Sequence, residues 1–587
     1  MKTVINQLLA TDAFLSTESK DAKKLYDRSN IIDKWQFVGE FDNISGSGFE
    51  KDYGPLSNPS ANAQFDNKIG AKVKWFTLPQ GRIDKWMDLE YSFVIGNSIM
   101  YAQTFVKSET EQDVVFRIGV SGSMKVWLND ALVGTENEER NTDLDVYNYK
   151  THLTKGYNRI LIQIGESEAD NANFLLRITD DNGNAIQGLT ISAEPQPYTK
   201  LKTVKSEQIP LFAETFFEQK IQTNPKDIIN YYLLAYTYLR NDKVYEARKI
   251  LYKARELAPN SGLLSRELIE AYQREKNQTD QSKEVENLKK IDPDNYLSIQ
   301  MLISEAEDKE NYDEMEKLVD KLERLYGIDE RTMTYRLSLA SDRKKNEDIV
   351  KITEEGYKKY PDVYLFVKMK AVIEEEVNKN MRGAISVYEK YLKNNYSEKA
   401  RAALSDLYFK NGNPDKGVKM YEQMIDEKPY AVGYLADLAN YYTQTQTYGK
   451  AIDYANQCLE YAPYIGKFWS ILGKVYEAKN NKNDAIENLK KANYYNPRGY
   501  ENKKLLRKLS GKEDIYDYFT HPDMDLIAGD KITVNVTQDD NAVILHDETQ
   551  KIIYEEGGSE EKQILITKVL NKSGVDDWKE YQIGYSA

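Results

Sequence analysis

Prolines stand at positions 225, 259, 293, 361, 429, 463 and 497, so every interval is 34 residues or twice 34. Gly327 and Asn395 fill the two skipped slots, and between the first and last of these prolines only Pro414, in "NGNPD", lies off the register. A spacing held constant over such a length means one structural unit repeated in tandem. No copy can bury its apolar face alone, so the copies must stack.

Counting back from Pro497, the last unit places Trp469, Leu472, Gly473, Tyr476, Ala485, Leu489, Ala492 and Pro497 at positions 4, 7, 8, 11, 20, 24, 27 and 32 of 34. Positions 8, 20 and 27 are small, as two antiparallel helices in close approach require, and large residues at 4, 7, 11 and 24 fill the space between them. Proline at 32 ends the second helix. Ile228 opens a second copy, with Leu234, Ala235, Tyr238, Ala247, Leu251 and Ala254 in the same places. Glu398 and Val432 open two more, a fair copy covers 262–295, and 296–397 matches poorly while keeping helical patterning. The scheme resembles the tetratricopeptide repeat, a helix–turn–helix unit, and implies about eight repeats forming an all-α solenoid over 204–512.

On either side the hydrophobic period is two. Residues 31–198 carry short runs rich in β-branched and aromatic residues, such as "DVVFRIGVSG", "SMKVWLNDALV" and "NRILIQIG", separated by turn clusters. Asn182-Gly183 between two runs predicts a tight hairpin in which both residues take positive φ. Many short strands without intervening helices predict an antiparallel β-sandwich, here a jelly roll. Residues 1–30 read as a helical segment. Residues 513–587 read as a β-rich domain too small for a core of its own and so truncated. The fold class expected is multidomain α+β.

The formal charge of −14 argues against nucleic acid as a partner, since phosphate binding needs an excess of Lys and Arg. One cysteine, Cys458, and three histidines, His152, His521 and His546, exclude an intrachain disulfide and leave no basis for a zinc site. No apolar run is long enough to span a bilayer, and the N-terminal stretch shows no convincing signal peptide.

"SGSMKVWLNDALVG", "LTKGYNRILIQIG" and "NFLLRITDDNGN" together resemble the galactose-binding-like jelly roll of many bacterial glycosidases and surface proteins. A wider resemblance joins three segments. "WQFVGEFDNISGSGFEKDYGP" is similar to the start of the β domain in large Bacteroidota-type repeat proteins, departing where Glu40 replaces the family's Pro. Tetratricopeptide repeats follow, and "AVILHDETQKIIYEEGGSEEKQILITKVLN" resembles the start of a domain of unknown function that usually precedes a transglutaminase-like domain. The resemblance implies the N-terminal part of an envelope-associated or exported protein, in the periplasm or on the surface of a Gram-negative bacterium. The family's Cys-His-Asp chemistry would then lie beyond Ala587, so no catalytic residue carries over to this chain.

Cys458 occupies repeat position 27, where Ala254 and Ala492 stand in sibling units, so a small core residue is expected rather than a nucleophile. His546 in "ILHDET" reads as a strand or turn histidine, and His521 in "THPDMD" as part of a linker. "DDNGN" lacks the remaining ligands of a calcium loop. No carboxylate pair stands out as a glycosidase acid and base, and no phosphate-binding glycine loop is present. Neither a cofactor nor a metal is expected. Trp75 and Trp86 border turns and are candidates for stacking on sugar rings, while Trp127 reads as core.

In a solenoid of this type the first helices line a concave groove through positions 2, 5, 9 and 12, with 13 alongside. In the last three units the candidate groove residues are Lys399, Asp406 and Lys410; Asn440 and Gln444; Lys467 and Lys474. Amide and ammonium groups of this kind suit a peptide backbone or carboxylate. The reading is a non-catalytic scaffold for protein or peptide partners. Two alternatives stay open: a carbohydrate-binding surface protein using the β-sandwich, and the front part of a transglutaminase-like enzyme.

Overall fold

The computed structural model of the chain describes residues 11, 19–28, 30–167, 171–519, 537, 539–555 and 558–580, so His521 lies outside the described residues. The chain forms two compact units, one through Tyr434 and one from Leu435.

After a helix at Ser19–Asp27, the first unit carries thirteen strands. These are β1 (Gln36–Asp42), β2 (Gln64–Asp66), β3 (Lys72–Lys74), β4 (Phe76–Thr77), β5 (Met87–Asp88), β6 (Ser98–Ser108), β7 (Gln112–Leu128), β8 (Ala131–Asn141), β9 (Tyr147–Leu153), β10 (Gly156–Glu166), β11 (Asn173–Thr179), β12 (Thr190–Ser192) and β13 (Glu207–Ile209). β2 and β3 form a separate hairpin, and the remaining strands share one antiparallel sheet. Strand β7 decides its shape. Its first half pairs with β9 and β11, and its second half with β8 and β10. The change falls at Gly122, whose φ is +120° and where a Cβ would stand 2.6 Å from the Gly165 carbonyl oxygen, so only glycine fits. Val114, Phe116, Ile118 and Val120 before the bend, and Met124, Val126 and Leu128 after it, enter the same core. The sheet therefore folds over on itself as a sandwich.

The hairpin at Asp180 corrects one expectation. Gly183 has φ +81°, but Asn182 is not left-handed. The turn is instead closed by the Asp180 carboxylate, which accepts from the Asn184 N–H at 2.8 Å and from its side-chain amide at 3.0 Å. A wider loop with one left-handed glycine replaces the two-residue turn.

Glu40, on β1, is enclosed beside Lys68. Its Oε2 lies 3.8 Å from the Lys68 ammonium, which donates to the carbonyls of Val94 and Gly96 and to Ser98 Oγ at 2.9–3.1 Å. Burial pushes the Glu40 carboxyl up to about 7, against the opposing pull of Lys68.

A helix at Phe212–Thr223 leads into the repeats. First helices begin at Ile228, Gly262, Tyr296, Glu330, Tyr364, Glu398, Val432 and Gly466, each 34 residues after the last, and a further helix begins at Tyr500. The stretch with poor residue matches keeps the same register. Its one irregularity is a π-turn at Ile373–Val377, after which the second helix starts at Met381, one residue late. Asp227, Ser261, Asn295, Asp329 and Ser397 cap first helices at the same slot.

The repeat prolines do more than end helices. The carbonyl of Pro225 accepts from the Tyr231 hydroxyl at 3.0 Å, and that of Pro463 accepts from the Trp469 indole at 2.9 Å, so position 4 is tied to the preceding turn. The small positions are fully enclosed: Ala235, Ala247 and Ala254 in the first repeat, Ala485 and Ala492 in the last. A Cβ on Gly473 would lie 2.9 Å from Leu489 Cγ.

In the second unit β14 (Ala542–Ile553) and β15 (Ser559–Val569) form an antiparallel hairpin. The segment after it is a short helix, Lys572–Trp578, capped by Asn571.

Two experiments test this packing. Gly356 occupies position 27 of its repeat, and a Cβ there would overlap the buried Phe366 ring, whereas a Cβ on Gly433 meets nothing within 4 Å. Gly356→Ala should lower stability by about 1–3 kcal/mol. Gly433→Ala should leave it equal or raise it by up to about 1 kcal/mol, both read by denaturant titration. For Glu40 the folded carboxyl holds its proton up to about pH 7, whereas the unfolded one loses it near 4.5. The stability due to the neutral form is complete below 4.5 and is lost as pH rises through 7. Glu40→Gln should therefore melt with the wild type at pH 4 and be more stable at pH 8, by on the order of 2–3 kcal/mol.

Candidate functional site

The constant register places equivalent residues of the first helices side by side. In the first three repeats, on Ile228–Arg240, Gly262–Arg274 and Tyr296–Asp308, they line a groove of about 450 Å³. Position 2 supplies Leu297 to the lining, and Ile229 and Leu263, at the same position of the two preceding repeats, are 52% and 38% exposed outside it. Position 9 supplies Tyr236, 45% exposed, whose ring stacks with that of Tyr232 at 6.4 Å. Position 13 supplies Arg240 and Arg274, and the lining also includes Arg266, Glu267, Glu270 and Gln273.

The charges are organised. Arg274 donates to Glu270 and Asp242, each at 2.7 Å, and Arg266 donates to Glu267 at 2.9 Å. Arg240 forks onto Asp143 through bonds of 2.9 and 2.8 Å, which hold it above the ordinary arginine value. Asp143 follows β8, so this fork joins the β region to the first repeat. The Asn141 N–H donates to Asp242 at 2.7 Å, and the Asp143 N–H to the Asn241 side chain at 3.0 Å. The β region meets the helices again where Tyr91 packs edge-on against Tyr430 at 5.3 Å.

A larger cleft, about 720 Å³, lies between the β region and Asp426–Glu427. Two of its cations are neutralised, Arg82 by Asp84 and Asp88 and Lys85 by Asp33 and Asp27, while Lys23 and Lys34 are exposed.

The sequence-predicted groove residues are all exposed. Lys399, Asp406 and Lys410 share the helix Glu398–Lys410, and Lys410 is engaged by Glu375 at 2.8 Å. Asn440 and Gln444 share one first helix and Lys467 and Lys474 the next. Position 5 does not line a surface there. Ala436 is buried, and Ser470 is buried with its hydroxyl donating to Asn502 at 2.6 Å. Phe409, at position 12, turns onto Gly417.

Trp75 is corrected as a sugar-stacking candidate. Its ring is buried, stands edge-on to Phe65 at 6.1 Å and donates its indole N–H to the Asn58 carbonyl, leaving no face for a ligand. Trp86 is half-buried, with its benzo ring over Gly119. Cys458 is buried at position 27, and burial pushes its thiol up to about 12, the opposite of an activated nucleophile. His546 pairs with Glu548 at 2.8 Å on β14, and His152 with Asp113 at 2.9 Å. Among the described residues no group of three or more His, Cys, Asp or Glu is disposed to hold a metal, and no helix is long and apolar enough to cross a membrane.

Sequence reading sought the groove in the last repeats, where the residue pattern is clearest. The aliphatic ladder at position 2 of the first three was visible in the sequence at the same spacing.

A family profile for the tetratricopeptide repeat matches residues 432–464 and 466–498, so this chain carries repeats of that family both by profile and by helix register. A search among curated proteins returns no match. Among solved structures, the chain is similar to a tetratricopeptide repeat protein from Parabacteroides merdae, at 17% identity over 42% of this chain and 98% of that one, with a TM-score of 0.29. It is also similar to PilW, a type IV pilus biogenesis factor (14% identity, 36% and 99% coverage, TM-score 0.28). A third likeness is to the APC/C hetero-tetramer Cut9-Hcn1 (15% identity, TM-score 0.20), where the match spans 51% of this chain and 45% of that one.

The state of Cys458 is directly measurable. In the folded chain at pH 8 it should react with a disulfide reagent at least about a hundredfold more slowly than in denaturant, because both access and thiolate are lacking. Equal rates would mean that the thiol is exposed.

Proposed function

We propose that this chain is a non-catalytic scaffold and that the groove over its first three repeats holds an extended segment of a partner protein. The observation that carries the reading is the groove lined by Tyr236, Arg266, Gln273 and the half-buried Leu297, with Ile229 and Leu263 exposed at the same repeat position as Leu297. Aliphatic steps accept alternate side chains of an extended peptide, while Gln273 and the arginines offer donors to its backbone carbonyls. The exposed Asn440, Gln444, Lys467 and Lys474 extend the same reading to the last repeats. Placement in the envelope of a Gram-negative bacterium belongs to the proposal and rests on the resemblance of the N-terminal and C-terminal segments alone.

Selection of a displayed peptide library on the full chain tests the groove. Peptides with apolar residues at alternate positions should be enriched, and Tyr236→Ala with Leu263→Ala should weaken them about tenfold or more. Both side chains are too exposed to matter greatly for folding. Selected peptides that bind the double variant unchanged would remove the assignment.

A further inference from the structure

A second cavity lies wholly within the unit that begins at Leu435. It measures about 360 Å³ and forms where the helix Tyr500–Leu509, the turn Ile515–Tyr518 and the β14–β15 hairpin converge. That volume falls within the range of small-ligand sites, roughly 300–1,000 Å³. Tyr500, Tyr516 and Tyr554 supply its aromatic walls, with the Tyr500 and Tyr554 rings 5.7 Å apart.

Two of the three acids of this cavity are engaged, and the third, Glu501, is exposed. Asp514 takes Lys504 at 3.3 Å, and Glu560 takes the Tyr554 hydroxyl at 3.2 Å. The cations are less so. Among the described residues Arg507 donates to the Glu513 backbone carbonyl, at 3.1 and 2.8 Å, and to no carboxylate, while its charge reaches Asp514. Lys508 and Lys512 are exposed and make no ion pair among the described residues. Three cations and three tyrosines thus share one cavity in a chain of net charge −14. Neither the groove nor the β region uses them.

We propose that this cavity binds a carboxylate borne next to an aromatic ring, the anion meeting Arg507, Lys508 and Lys512 and the ring lying among the tyrosines. A guanidinium whose bonds go to a neutral carbonyl can turn to a carboxylate without stranding a buried acid. The Lys503 ammonium already lies over the Tyr554 ring at 4.1 Å and that of Lys562 over Tyr516 at 5.5 Å, so a ligand ring would meet the tyrosines offset or edge-on. The same chemistry is offered by a free aromatic acid and by the C-terminal aromatic residue of a protein chain.

Calorimetric titration of the full chain distinguishes these sources. The probes are N-acetyl-L-phenylalanine, the tetrapeptide Ala-Ala-Asp-Phe with a free terminal carboxylate, and the same tetrapeptide amidated. The free carboxylates should bind, and the amide should bind at least about tenfold more weakly. Lys508→Glu with Lys512→Glu should weaken binding by about tenfold or more, and a rise in salt from about 0.05 to 0.5 M should weaken it as well. Tyr236→Ala with Leu263→Ala should leave it unchanged, which separates this site from the groove. Comparable affinity for both free carboxylates identifies a free acid as the ligand, and binding of the tetrapeptide alone identifies a chain terminus. The proposal is overturned if neither binds at about 10 mM, or if the charge-reversed variant binds as the wild type does.

Discussion

Everything in the helical part depends on how closely two helices can approach. In the first and last repeats positions 8, 20 and 27 are held by Gly, Ala, Ser or Cys where the backbones come near, as Gly473 against Leu489 shows, whereas the middle repeats fill the same places with Ile303, Met315 and Leu322. Where Ser405 stands at position 8, its hydroxyl donates to the carbonyl of Gly417 at position 20, so even the polar exception is paired across the contact. Constant approach makes constant repeats, which bring equivalent side chains of successive first helices into one row. The ladder at position 2 is a consequence of that packing.

The β region is governed by an equally local constraint. Gly122 lets one long strand serve both layers of the sandwich, and the loop after β8 then reaches Arg240, Asn241 and Asp242 of the first repeat. Asp242 is itself one of a row of left-handed residues, with Lys276, Glu310, Lys344, Lys379, Gly412, Gln446 and Asn480, that turn each first helix into its second. Only one of them is glycine. The strain of left-handed side chains, of order 1 kcal/mol each, is outweighed by the packing of the helices they join. Because those residue types vary, no single-sequence pattern marks the position.

The candidate sites were legible to different degrees. Repeat numbering put Lys399, Asn440 and Lys474 on an exposed face, because that face follows from period alone. It misjudged Ala436 and Ser470, which neighbouring helices cover. Trp75 and Trp86 look alike in sequence, each beside a turn, yet one ring is enclosed by Phe65 and Asn58 and the other stays half open. Asn182-Gly183 read as a two-residue turn because the competing acceptor, the Asp180 side chain, was not weighed. The basic run after Pro497 is plain in the sequence. Its meeting with Tyr516 and Tyr554 depends on a turn and a hairpin farther along the chain.

By itself the sequence determined the repeat, its length and its number, and in the first and last repeats the small residues that nest its helices, because those are encoded locally at a constant spacing. It also determined that strands, not helices, flank the repeats on the N-terminal side. Tertiary structure alone decided which repeats open a groove, which cations are left without acids, and where the β region grips the first helix. Those outcomes depend on side chains far apart in the chain meeting or failing to meet, and no periodicity along a single sequence records such meetings.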